Sequence, residues 1–114
     1  MRNAFTLVEV LVALVLLEIG MLALSGVAAV AARDFVTATR ILRASAIASR
    51  RIEMLRGIPC PAPASGAQQT GFATEYWRVE ATKSARLLRD SVEFGLGSGR
   101  NGHVVRRGAV WCRD

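Results

Sequence analysis

Apolar residues dominate the chain from Phe5 to Ala32, where Glu9 and Glu18 are the only charges. A helix needs about 20 apolar residues to cross a bilayer, so residues 5–32 predict a membrane-spanning helix. Beyond Ala32 the pattern becomes periodic. Ala38, Ile41, Ser45, Ala48, Ile52 and Leu55 recur at alternating three- and four-residue spacing, which predicts an amphipathic helix over 33–56. Arg40, Arg43 and Arg50 fall off that stripe. No proline or cluster of turn residues interrupts Phe5 to Arg56. The two stretches therefore predict one helix, roughly 78 Å long, with Gly26 as a point of local loosening. Gly57 and Pro59 supply its stop.

The rest of the chain changes character. Residues 57–73 are rich in Pro, Ala, Ser, Gly and Gln and predict a loop. Strands are expected over 74–112. Glu75 to Ala81 alternates, with Trp77, Val79 and Ala81 on one face. Leu88, Asp90, Val92 and Phe94 share a face in a second strand. Gly95 to Gly102 predicts a glycine-rich turn, and a last strand runs from His103 to Cys112 with Gly108 as a candidate bulge. The expected architecture is α+β: a long N-terminal helix whose second half packs on a small antiparallel sheet.

Composition narrows this little. The 52% apolar content and the mean hydropathy of +0.31 reflect the first segment. Without residues 1–32 only 82 residues remain, near the size at which one core is marginally stabilising. The net charge of +6 is carried by arginine, Lys83 being the sole lysine. A basic domain suits anionic lipid, nucleic acid or acidic proteins, although a solvated basic surface needs no partner.

Catalytic patterns are absent from the sequence. His103 is the only histidine, and with two cysteines it does not complete a four-ligand zinc site. The glycines of 95–102 precede no Lys-Ser/Thr and no helix, so they form no phosphate loop. No catalytic residue, metal or cofactor is expected.

The head of the chain carries the strongest signal. Met1-Arg2-Asn3-Ala4 is a short polar leader, followed by Phe5-Thr6-Leu7-Val8-Glu9 and the apolar run. This arrangement resembles the type IV prepilin N-terminus over Ala4 to Leu24. Within that family, Val10 to Leu14 and Gly20 to Leu24 look most like minor pilins and type II secretion pseudopilins. The resemblance implies cleavage by a prepilin peptidase between Ala4 and Phe5, with N-methylation of Phe5. The family usually has glycine where Ala4 stands. Glu9 matches the family's glutamate five residues into the mature chain, and a physical reading beside the resemblance expects it to guide assembly by neutralising the α-amine of a neighbouring subunit. An ionisable residue in a membrane segment costs roughly 2.5–3.5 kcal/mol on insertion scales, so Glu9 needs such a partner. Glu18 occupies a position that relatives keep apolar and is a second assembly candidate. Nine residues separate it from Glu9, which puts the two on opposite sides of an ideal helix.

The implied partners are the prepilin peptidase, other pilin or pseudopilin subunits and inner-membrane lipid. The implied topology is single-pass in the inner membrane, with residues 33–114 in the periplasm and later in a pilus or pseudopilus. That compartment permits disulfides, and a bond between Cys60 and Cys112 is expected to tie the tail to the helix end. Two other readings stand beside this one. Arg100, Arg106, Arg107 and Arg113, with Trp111 among them, are candidate DNA contacts, since some minor pilins capture DNA through basic tails. Alternation sends Arg106 and Arg107 to opposite sheet faces unless a bulge aligns them. Alternatively, Arg2 and Ala29-Val30-Ala31 form an ordinary secretory signal that releases a soluble domain.

Overall fold

A computed structural model describes residues 5–60, 65–97 and 99–112. One helix, α1 (Leu7–Arg56), precedes four strands: β1 (Gly66–Thr70), β2 (Ala73–Ala81), β3 (Ala85–Gly97) and β4 (Arg100–Trp111). The chain divides into two compact units, residues 1–36 and residues 37–114.

The first unit is the apolar part of α1. It contains a window long and apolar enough to cross a membrane, and none of that window is buried within the chain. Thr6 caps the helix start. Its Oγ1 accepts the Glu9 N–H at 3.3 Å, and its carbonyl accepts the same N–H at 3.0 Å. A threonine followed three residues later by glutamate is the capping-box pattern, a second, local reason for Thr6-Leu7-Val8-Glu9. Gly26 leaves the helix unbroken.

The second unit is α+β. Its sheet is an antiparallel meander in the order β1-β2-β3-β4. The buried stripe of α1 is Ala44, Ala48, Ile52 and Leu55. The expected stripe is therefore correct at Ala48, Ile52 and Leu55 and one residue out upstream. Ala38 and Ile41 are exposed, and Ala44 takes the buried position next to Ser45. Arg40, expected off the stripe, is half-buried and donates to the Gly95 carbonyl at 2.7 Å.

Two apolar clusters make the core. Ala44, Ala48, Ala73, Val92 and Phe94 form one. Ile52, Leu55 and Leu88 form the other, flanked by Trp77, Val79 and Val110. The expected faces of β2 and β3 are the ones that pack. Three details differ from expectation. Residues 66–70 form an edge strand, not loop. Most of the glycine-rich 95–102 segment lies within β3 and β4, with the reversal confined to the positive-φ Gly97 and Gly99. The register shift falls between Gly95 and Gly97, not at Gly108. Gly108 serves packing: a Cβ there would sit 3.1 Å from Ile52 Cγ2.

Candidate functional site

The described residues singled out in the sequence fall in one or other of the two units. Phe5 and Glu9 are both exposed at the head of α1. Glu9 lies in the first turn, where a negative charge complements the helix dipole. Its carboxylate has no ion pair among the described residues. Glu18 is exposed and equally unpaired among them. Ala4 and Arg113 lie outside the described residues.

Cys60 and Cys112 form a disulfide with a Cα–Cα distance of 6.0 Å. Cys60 follows the helix stop, where the Gly57 N–H donates to the Glu53 and Met54 carbonyls. Cys112 follows β4, and its N–H donates to the Ser84 carbonyl at 2.9 Å. Buried Arg86 joins the same region from β3, donating to the carbonyls of Leu55 and Ile58.

Among the described residues, the C-terminal arginines do not converge. Arg106 turns toward α1 and donates to Ser45 Oγ at 2.9 Å. Arg107 lies on the opposite face, directly across from Arg89. No register shift occurs near either, so alternation keeps them apart. Arg100 is exposed at the start of β4. His103 Nε2 lies 3.1 Å from Ser91 Oγ. Among the described residues no group of three or more His, Cys, Asp and Glu side chains is placed to hold a metal.

A charged layer that no local pattern foretells lies between the two apolar clusters. Arg51 Nε and Nη2 donate to Glu75 Oε1 and Oε2 at 2.9 and 2.8 Å, a two-point grip. Nη2 also donates to Gln68 Oε1 at 2.8 Å. The guanidinium carbon lies 4.0 Å from the centre of the Trp77 ring. The bond to Glu75 holds Arg51 above its ordinary pKa. Asp90 is fully buried, with Trp77 opposite it on β2 and Arg106 opposite it on β4. Neither Asp90 carboxyl oxygen has a hydrogen-bond partner among the described residues.

Burial, and then the negative charge of Glu75, push Asp90 up to about 7. The raised value means that the folded chain prefers Asp90 protonated. Protonation also gives Asp90 a hydrogen to donate, with Glu75 the neighbouring acceptor. The resulting stability is fully present below the unfolded pKa near 3.9 and is lost as pH rises through about 7. Between pH 5.5 and 8 the expected loss is about 2 kcal/mol by linkage. Thermal melts of the detergent-solubilised chain at these two pH values should show it as a lower Tm at pH 8. Asp90→Asn, which cannot ionise, should flatten the dependence. An equally pH-dependent Asp90→Asn would place the titration elsewhere.

No family model matches the chain, and comparisons with curated proteins and with solved structures find no match.

Proposed function

We propose that the chain is a structural minor subunit of a type IV pilus or a type II secretion pseudopilus. It is made as a prepilin, cut between Ala4 and Phe5, methylated on Phe5, and assembled through its N-terminal helix. The observation that carries this reading is Phe5-Thr6-Leu7-Val8-Glu9 at the head of a helix whose apolar surface is unburied within the chain.

The physical logic is a charge exchange. Cleavage before Phe5 places a cationic amine at the start of an apolar helix. Glu9 places an anion one turn later. Inside a helix bundle in a low-dielectric core, each charge alone is costly, and each neutralises its complement on a neighbour. The pairing fixes the axial register between subunits. The disulfide agrees with an oxidising compartment for the C-terminal unit. The helix would first hold the protein in the inner membrane and then enter the filament core.

Two measurements test this. Mass spectrometry of the membrane-extracted chain should find an N-terminus at N-methylated Phe5. A start near Arg33 would mean ordinary secretion, and a retained Met1 would mean no processing. Glu9→Ala should leave cleavage intact and lower incorporation into filaments at least tenfold, read as the sheared-filament to membrane ratio. Equal incorporation would remove the pairing model.

A further inference from the structure

The outer face of the sheet, the side away from α1, carries a feature that strand register creates. Arg78 pairs with Arg89, and Arg89 pairs with Arg107. Three arginines therefore stand in one row across β2, β3 and β4. Neighbouring strands are about 4.8 Å apart, so the row spans roughly 10 Å. All three are exposed. None makes an ion pair or side-chain hydrogen bond among the described residues. Like charges directly opposite one another destabilise a sheet. No ion pair within the described chain offsets this row, so the fold carries it at a cost.

The surroundings identify what would offset it. Tyr76, Leu87 and Trp111 lie on the same face by alternation and are 47%, 48% and 80% exposed. Arginine, tyrosine and tryptophan together are the side chains that dominate protein–protein hot spots. Glu80 lies two residues beyond Arg78 on β2, and Glu93 lies four residues beyond Arg89 on β3. Both belong to this face and both are exposed. These carboxylates flank the row on opposite sides. A continuous phosphate chain would meet repulsion on leaving the row in either direction. A folded protein presenting a short line of carboxylates between apolar side chains would not.

We infer that the outer sheet face, centred on Arg78, Arg89 and Arg107, docks an acidic patch of another protein. Arginine grips each carboxylate through two parallel N–H···O bonds, and the apolar rim excludes water from those pairs. The inference stands apart from the filament reading, because it uses no residue of the N-terminal unit.

The test is made in the cells that natively produce the full chain. A photo-crosslinking phenylalanine is placed at Leu87, and the adduct is mapped by peptide mass spectrometry. A protein adduct at a segment bearing Asp or Glu is expected. Arg89→Glu should lower its yield at least tenfold, and reversing the contacted carboxylate to arginine should restore it. Arg89→Gln should leave Tm unchanged or raise it by a few degrees, because it relieves the row; a lower Tm would mark the row as structural and overturn the inference. Adduct yield indifferent to Arg89→Glu, or no protein adduct at all, would also overturn it. So would binding of a short oligothymidine by the purified chain that Arg89→Glu abolishes, since the occupant would then be a nucleic acid.

Discussion

Arg51→Met is expected to destabilise the C-terminal unit by about 2–4 kcal/mol, somewhat under the range for a fully buried ion pair because the Arg51 side chain is 22% exposed. Glu75 is 3% exposed and receives two of its hydrogen bonds from Arg51. Without the guanidinium it is a buried anion next to a second carboxyl group, Asp90. Gln68 loses its donor in the same step, and Trp77 loses the cation stacked on its ring. For a unit of 78 residues, total stability is on the order of 4–12 kcal/mol, so the variant stands near the edge of folding. Arg51→Lys should recover only part of the loss, since an ammonium cannot make the two-point contact or the flat stack. The double variant Arg51→Met with Glu75→Leu should be far closer to the native protein, because no charge is left buried without its partner. Urea melts of the detergent-solubilised chain measure all three. A loss below 1 kcal/mol for Arg51→Met would show that water reaches Glu75 and that the layer is not dry.

This layer shows where reading the sequence reaches its limit. The helix was legible because its signal is local: an apolar run, no proline, and a glycine at the stop. The faces of β2 and β3 were legible because alternation is local too, and it placed Asp90 beside Val92 and Leu88 despite its charge. The neighbours of Asp90 were not legible. They come from α1, β2 and β4, and pairing across elements depends on register, which no short window encodes. Arg51 reads as one more arginine in a basic helix until Glu75 is brought to it. The outer arginine row is invisible for the same reason. Arg78, Arg89 and Arg107 are separated by 10 and 17 intervening residues and meet only through two strand registers.

Edge strand β1 was hidden for a different reason. Gly66-Ala67-Gln68-Gln69-Thr70 has a loop's composition, with no aromatic side chain and only Thr70 β-branched, at its very end, to suggest a pleated surface. Its pairing with β2 supplies what composition lacks. Gly66 stands opposite Trp77, and a Cβ there would lie 2.5 Å from the indole ring, so glycine lets the ring lie against the strand. The segment reads as a loop until its neighbour is known. In the first unit the reverse holds. Almost every signal there is local, but its candidate role in assembly involves other chains, and one chain shows only that Glu9 is exposed and unpaired among the described residues.

Cys60→Ser with Cys112→Ser is expected to cost about 4 kcal/mol, by the loop-closure entropy of a 52-residue separation. The small core makes this bond important. The buried apolar side chains of the unit include four alanines, Ala44, Ala48, Ala73 and Ala85, which contribute little area each. The disulfide acts at the junction where helix packing ends. On one side of it, Gly57 stops α1; on the other, β4 ends at Trp111. Arg86 grips the carbonyls of Leu55 and Ile58 at the same junction, so the reduced chain still has a tether. Reduction should therefore loosen the helix end before the remainder of the sheet. Hydrogen exchange on the chain with and without reductant separates the two effects. Faster exchange at the amides of Gly57 and Cys112, with β2–β3 amides keeping more of their native protection, is the expected pattern. Uniform loss across the sheet would mean that the unit unfolds as a whole once the bond is gone. A Tm shift of less than a few degrees would mean that Arg86 and the Leu88 cluster hold the end by themselves. Arg86→Met in the disulfide-free background decides between these, because the two tethers share one junction and their losses should exceed the sum of the single effects.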